Sequence, residues 1–209
     1  MLHHLDVDID DAALGERKAE ILKAEWAATE RLIERNVAVA EWRKASGTGV
    51  IAIWDGASHA ELSDLLRSIP LANYLRNVVV TPLVDHPLWP NGRLKPTRQG
   101  GNMAIYLIDA KIDYNLLGDR MQALLPAEWK VSEDLYSSGK MLGIWRNANA
   151  KGVIVIWDMP SHDAVNDQLR AMPLYPYMSD ITVTPLIAHP RYPQFCAPLH
   201  RDHIKTPPA

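Results

Sequence analysis

The heptapeptide Gly-Val-Ile-Ala-Ile-Trp-Asp at residues 49–55 returns almost unchanged as Gly-Val-Ile-Val-Ile-Trp-Asp at residues 152–158. The same offset of 103 residues relates Trp42-Arg43 to Trp145-Arg146. A fixed offset sustained along a chain is the signature of an internal repeat. The chain therefore contains two copies of one domain.

The repeat divides the chain into four segments. We expect repeat 1 at residues 1–90, a linker at residues 91–102, repeat 2 at residues 103–193 and a C-terminal arm at residues 194–209. The linker combines glycine and proline with arginine and lysine, which is typical of a connection between domains.

Within each copy the hydrophobic period changes in a definite order. In repeat 1, residues 2–9 alternate as a half-buried strand, residues 14–35 repeat at helical spacing, and Ser58 can cap a second helix that ends before Pro70. The order β-α-β-β-α-β predicts an α+β fold of two ferredoxin-like repeats. Because one face of each sheet needs cover, we expect the repeats to pack as a pseudo-dimeric α/β barrel within one chain.

The composition is that of an ordinary globular protein. Of the 209 residues 47% are hydrophobic and 22% are charged, and the net charge is −3. This mild acidity disfavours nucleic-acid and anionic-membrane partners. The single cysteine fits a reducing compartment. With no visible signal peptide or long apolar run, we expect a cytoplasmic protein.

Several stretches match a known family. They include Ile-Trp-Asp at residues 53–55, Pro-Leu-Tyr-Pro-Tyr-Met at 173–178, Val-Thr-Pro-Leu at 183–186 and the pair His86-Pro87. Each half thereby resembles the muconolactone isomerase family of aromatic-catabolism enzymes. The resemblance implies an isomerase that shifts a proton and a double bond in a small unsaturated lactone or related carboxylic acid. It also implies a small-molecule substrate, no metal or organic cofactor, and a homo-oligomer.

Glu25, with its repeat-2 equivalent Glu128, is the first candidate catalytic residue. On a helical wheel Glu25 lies in the middle of the apolar stripe formed by Leu14, Ile21 and Leu32. Burial raises the pKa of a carboxyl group, which suits a general acid/base. The alternative is a structural carboxylate that reaches solvent or pairs with an arginine.

Histidines recur at equivalent positions of the two copies. His59 and His162 follow a helix cap and are candidate catalytic residues, although a solvent-facing helix residue is the alternative. His86 and His189 follow the last strand, where they either bind substrate or fix the strand exit. A further substrate-binding candidate is His4, which matches a histidine of the family.

The remaining substrate-binding candidates are arginines and aromatic residues. Arg43 and Arg146 can clamp a substrate carboxylate or pair with a surface carboxylate. The aromatic side chains can form pocket walls or core. These aromatic candidates are Trp26, Trp129, Trp54, Trp157, Tyr74 and Tyr177.

Differences between the copies predict that repeat 2 is the less competent one. Pro126 replaces Lys23 within the first helix, where proline removes a hydrogen bond, and Leu107 replaces His4.

Two other functional classes remain open from the sequence. The same superfamily includes haem-binding proteins and cofactor-free oxygenases, for which His59 or His86 would be a ligand, and carriers of hydrophobic ligands. No spacing of histidine, cysteine and carboxylate residues matches a known metal motif. The sequence therefore predicts no metal site.

Overall fold

The structure, a computed structural model, describes residues 1–87 and 104–189. These residues form two compact units. Unit 1 comprises residues 1–83 with residues 187–189, and unit 2 comprises residues 84–87 with residues 104–186. Residues 187–189 therefore belong to repeat 2 in sequence and to unit 1 in space.

The predicted linker at residues 91–102 and the predicted arm at residues 194–209 lie outside the described residues.

Both repeats have the same order of elements. Repeat 1 contains β1 (Leu2–Ile9), α1 (Asp11–Leu14), α2 (Lys18–Glu34), β2 (Ala38–Lys44), β3 (Gly49–Asp55), α3 (His59–Ser68) and β4 (Leu75–Asp85). Repeat 2 contains β5 (Ala104–Ile112), α4 (Tyr114–Leu117), α5 (Met121–Ser137), β6 (Met141–Asn147), β7 (Gly152–Met159), α6 (His162–Ala171) and β8 (Met178–Ala188).

Each unit contains an antiparallel sheet. In unit 1 the strand order is β4-β1-β3-β2, and Leu5 of the central strand β1 lies opposite Ala52 and Val80. In unit 2 the order is β8-β5-β7-β6. The mixed helix and strand content agrees with the sequence prediction. The ferredoxin-like assignment and the packing of the repeats as a pseudo-dimeric barrel stay predictions.

The core of unit 1 lies between its sheet and its helices. Leu5, Val7 and Trp54 of the sheet pack in one cluster with Leu32 of α2 and Leu62 of α3. Since successive side chains of a strand point to opposite faces, the odd-numbered residues of β1 face the helices. This alternation positions Val7 and Ile9 beside the cavity described below.

The first long helix begins later than its sequence pattern predicts. The helical spacing predicts one helix from residue 14, but Gly15 has φ of +51° and ψ of −141°, which interrupts it after α1. A 3-10 turn follows, and α2 starts at Lys18. The end at Glu34 agrees with the predicted spacing to residue 35. Asn36, with φ of 63°, and its equivalent Gly139, with φ of 75°, have the left-handed conformation that commonly follows a helix.

Proline does not end the corresponding helix of repeat 2. The helix α5 is continuous over Met121–Ser137 with Pro126 in its sixth position. Pro126 therefore does not break this helix, and the lower competence of repeat 2 stays a prediction.

The segment that follows α3 presents a backbone hydrogen-bond donor to α2. The side chain of Ser58 accepts a hydrogen bond from the Glu61 N–H at the start of α3. The helix ends before Pro70, and Leu71 begins a 3-10 turn. The N–H of Leu71 is therefore free of helix bonding and can serve a side chain of α2.

Among the described residues, no helix combines the length and apolar character needed to cross a membrane.

Candidate active site

Unit 1 contains a mainly apolar cavity of about 200 Å³ between its sheet and its helices. This volume is below the range of about 300–1,000 Å³ typical of pockets for drug-sized ligands. Apolar walls come from β1, α2 and α3 and include Leu22, Trp26 and Leu66. The ionisable side chains that line the cavity are Asp11, Lys18, Glu25, Glu41, Arg43 and His189.

Glu25 projects from the buried side of α2 into this cavity. Ile21, Ala28 and Leu32 of the same helix are buried around it. Its Oε2 atom accepts a hydrogen bond of 2.9 Å from the Leu71 N–H. Burial raises the pKa of Glu25, and the bond from Leu71, which favours the charged form, acts in the opposite direction.

Glu128 of unit 2 has the same local environment. Its Oε2 atom accepts a hydrogen bond of 2.9 Å from the Leu174 N–H, and the residue is 9% exposed. Burial raises its pKa, again against the effect of the backbone bond. The two carboxylates are therefore a matched pair.

Glu41 is a further carboxyl group in the cavity of unit 1, more deeply buried than Glu25, and is not among the site residues predicted from the sequence. It lies on β2, two residues before Arg43, is 8% exposed, and lines the same cavity as Glu25. Burial, with a smaller effect from the charge of Glu25, raises the pKa of Glu41 to about 8. At neutral pH its protonated form predominates.

A sequence signal for Glu41 does exist. A glutamate between Ala40 and Trp42, in a strand that is otherwise mostly apolar, is an exception to the pattern of buried strands. The equivalent residue of repeat 2 is Ile144, so a comparison of the repeats marks this position as different rather than shared.

Arg43 and His189 complete the polar side of the cavity. The Nε atom of Arg43 is buried, and the described part of the chain supplies no hydrogen-bond acceptor for it. His189 is buried, and burial, followed by the charge of Arg43, lowers its pKa to about 4. Its Nε2 atom lies 3.8 Å from Oε1 of Glu41. Since both groups are neutral at pH 7, this contact is not a salt bridge.

The equivalent arginine and histidine of unit 2 also lie together, but the arginine is more exposed than Arg43. Arg146 is exposed, and its Nε donates a 3.3 Å hydrogen bond to the Asp85 carbonyl oxygen. His86 is buried, and burial, followed by the charge of Arg146, lowers its pKa to about 4. The structure therefore groups His189 with Glu25, and His86 with the arginine of repeat 2.

The predicted catalytic histidines of the helix starts are not among the residues that line the cavity. His59 is exposed and its ring meets that of His3 at a centroid distance of 5.2 Å. His162 is exposed and meets Tyr106 in the same edge-to-face manner at 5.5 Å. The exposure of both side chains corresponds to the solvent-facing alternative.

His4 lies on the face of β1 opposite to the cavity-lining residues. It is buried on the side of Asp6 and Asp8, where Lys44 forms ion pairs with both carboxylates. Burial lowers its pKa to about 4, and the nearby Lys44 acts in the same direction. The structure therefore separates His4 from Glu25.

Of the predicted aromatic walls, Trp26 lines the cavity. Trp54 and Trp157 lie in the helix–sheet cores of their units, as strand alternation requires. Trp129 is half-buried. Tyr74 packs beside Leu71, and the Tyr177 hydroxyl accepts a 3.2 Å hydrogen bond from Arg120.

Within residues 1–87 and 104–189, no three histidine, cysteine or acidic side chains are grouped to hold a metal ion.

Comparison with known proteins places the chain in a family. The sequence model of muconolactone delta-isomerase matches residues 1–88 and again residues 105–192. The chain belongs to the muconolactone delta-isomerase family. Within the family, the Muconolactone Delta-isomerase of Acinetobacter baylyi is 31% identical over 83 residues, which are 40% of this chain and 85% of that protein. The enzyme of Cupriavidus pinatubonensis is 30% identical over 88 residues, 41% of this chain and 95% of that protein.

A solved structure shares the fold over nearly the whole chain. A chlorite dismutase from Candidatus Nitrospira defluvii superposes with a TM-score of 0.61, covering 89% of this chain and 90% of that chain. The two sequences are 8% identical, so this likeness concerns the fold alone.

Proposed function

We propose that the chain is an isomerase of aromatic catabolism that moves a proton, and with it a carbon–carbon double bond, in a small unsaturated lactone bearing a carboxylate. Membership of the muconolactone delta-isomerase family supports the reaction class. The observation that carries the proposal is the position of Glu25, a half-buried carboxylate that faces an apolar cavity beside Arg43.

Glu25 is suited to take up and return a proton. Its carboxylate would remove a proton from the carbon next to the lactone carbonyl, so that a C–H bond breaks and an O–H bond forms on Glu25. The electron pair of the broken C–H bond is delocalised onto the carbonyl oxygen as a dienolate. The same proton then returns to the far carbon of the original double bond, so that the double bond moves next to the carbonyl. The reaction is redox-neutral, and Glu25 ends as it began. Its raised pKa reduces the mismatch with neutral pH.

Arg43 is suited to hold the carboxylate of the substrate. Its Nε atom is buried without an acceptor among the described residues, and a guanidinium binds a carboxylate through parallel hydrogen bonds. The cavity volume of about 200 Å³ lies below the range of about 300–1,000 Å³ typical of pockets for drug-sized ligands. That volume favours a small lactone over a large ligand.

The assembly and location of the chain are part of the same proposal. We propose a homo-oligomer that acts in the cytoplasm, with two ferredoxin-like repeats that form one barrel. The likeness to a solved fold over 89% of the chain supports a single architecture for both repeats.

The direct test is turnover of muconolactone-type lactones by the purified chain, followed by absorbance and without added metal or cofactor. Double-bond migration that is much faster with the protein than without it supports the proposal. A haem absorbance band in the purified protein, with no turnover, would instead favour the haem-binding alternative. Lactone binding without turnover would favour a carrier.

A further inference from the structure

Unit 1 differs from unit 2 by a second carboxyl group in its cavity. Glu41 lines the cavity with Glu25 and Arg43, whereas the equivalent residue of unit 2 is Ile144, which is 7% exposed. Both positions are buried parts of equivalent strands, so unit 2 shows that this fold accepts an aliphatic side chain there. A buried carboxyl group that the fold does not require needs another explanation.

The surroundings of Glu25 and Glu41 favour different protonation states, so that Glu25 is suited to act as a base and Glu41 as an acid. Glu25 accepts the Leu71 N–H, a bond that favours its charged form. Glu41 is more deeply buried, and the negative charge of Glu25 disfavours a second charge beside it. Titratable pairs whose environments separate their pKa values in this way commonly divide acid and base functions.

Glu41 does not form a structural ion pair with its neighbour His189. The Nε2 atom of His189 is 3.8 Å from Oε1 of Glu41, which is longer than a hydrogen bond. Arg43 lies near His189 and favours the neutral imidazole. The carboxyl group of Glu41 is thus held in the cavity beside a neutral histidine.

We propose that Glu41 is the acid of this site and donates a hydrogen bond to the carbonyl oxygen of the lactone while Glu25 moves the carbon-bound proton. The inference rests on the proposed function and assigns its chemistry to unit 1. As Glu25 removes the proton, negative charge grows on the carbonyl oxygen and the bond from Glu41 strengthens. When the proton returns to the far carbon, the carbonyl reforms and Glu41 keeps its own proton.

This assignment defines what a substrate must present. The molecule needs a carboxylate for Arg43 and a carbonyl acceptor for Glu41, with the acidic carbon between them at Glu25. An unsaturated lactone with a carboxymethyl-type side chain satisfies all three requirements, whereas a lactone without a carboxylate does not.

The test compares wild type with Glu41→Ile and Glu41→Gln. Isoleucine is the residue of the equivalent position in unit 2, so Glu41→Ile should fold and melt no lower than wild type. Loss of one donor to a developing oxyanion lowers kcat by about 10²–10³-fold, whereas KM should rise by no more than about 2–10-fold, because the neutral carbonyl accepts a weaker hydrogen bond. Glu41→Gln keeps an N–H donor and should fall between the two. Wild-type kcat in Glu41→Ile would overturn the inference.

A pH profile adds a readout that a structural role would not change. In wild type, kcat should fall as the pH rises through about 8, where Glu41 loses its proton, and Glu41→Gln should lack this limb. A limb near pH 8 retained in Glu41→Gln would contradict the assignment. The other charged and titratable groups lining the cavity are Asp11, Lys18, Glu25, Arg43 and His189.

A binding measurement separates this inference from the proposed function. A saturated lactone acid, which cannot isomerise, should bind Glu41→Ile roughly 2–10-fold more weakly than wild type, as loss of one neutral hydrogen bond requires. If wild type turns over no lactone, the proposed function fails, and weaker binding by Glu41→Ile still supports the contact with Glu41. Equal binding to both proteins, or binding to neither, overturns the inference.

Discussion

Oε1 of Glu41 lies 3.8 Å from Nε2 of His189, and burial keeps both groups in their neutral forms at pH 7. The two residues come from different repeats in sequence, yet both belong to unit 1. A protonated carboxyl group and a neutral imidazole thus meet at a cavity that also contains Glu25. Burial is the main cause of both pKa shifts, with smaller effects from the charges of Glu25 and Arg43.

The first prediction concerns stability at rising pH. Burial raises the pKa of Glu41 to about 8, far above its value in the unfolded chain. Because the folded protein holds this proton more tightly, the contribution of the proton to the free energy of unfolding is complete below the unfolded pKa and is lost as the pH rises through about 8. Wild type should therefore lose up to about 1.4 kcal/mol per pH unit relative to Glu41→Ile between pH 6.5 and 8. Thermal or urea unfolding of both proteins across this range measures the difference.

The range is chosen because the buried histidines contribute little to it. The pKa values of His4, His86 and His189 are lowered to about 4, so their effect on stability is confined to lower pH. Parallel stability curves for wild type and Glu41→Ile from pH 6.5 to 8 would show that Glu41 is ionised in the folded protein.

The second prediction concerns substrate binding by Arg43. Hydrogen bonds to charged groups contribute about 1.5–3 kcal/mol, so Arg43→Met should raise KM for a lactone carboxylate by about 10–10²-fold. Arg146→Met is the matched control, because Arg146 is exposed and bound to a backbone carbonyl. Steady-state kinetics of both variants measure the difference in KM. Equal effects of the two substitutions on KM would contradict the assignment of Arg43 as the residue that binds the substrate carboxylate.

The third prediction tests the close approach of two strands. A Cβ atom at Gly49 would meet the Val7 carbonyl oxygen of the neighbouring strand β1. Overpacking of this kind costs about 1–3 kcal/mol, so Gly49→Ala should lower the unfolding free energy by that amount. At Gly56 the nearest atom to an added Cβ is 3.5 Å away, an ordinary contact. Gly56→Ala should unfold like wild type, and equal losses in the two variants would argue against strand crowding.

The mixed helix and strand content and the order of the elements could be predicted from sequence because local and repeated signals agree. Alternation in β1, the cap at Ser58 and the left-handed residue Asn36 each depend on neighbours along the chain. The start of α2 could not be placed, because Gly15 interrupts a stretch whose hydrophobic spacing continues through it.

The candidate site was less predictable because it depends on contacts distant in sequence. Glu25 could be found from its place in an apolar helical stripe. The grouping of Glu25 with His189 could not be found from the sequence, because the repeat pattern assigns His86, not His189, to the copy that contains Glu25. Glu41 was missed because matching residues between the repeats directs attention to shared positions, and this one is not shared.

The most direct test of the central claim is kcat for Glu25→Gln and Glu128→Gln on the same lactone, with thermal melting as a check of folding. Glutamine keeps the shape of the side chain but cannot accept and return a proton. Because general acid/base catalysis contributes about 10²–10⁴-fold, Glu25→Gln should lower kcat by that factor. Glu128→Gln removes the matched carboxylate of unit 2 and should retain turnover. Near-wild-type kcat in Glu25→Gln, or loss of turnover in Glu128→Gln alone, would contradict the account.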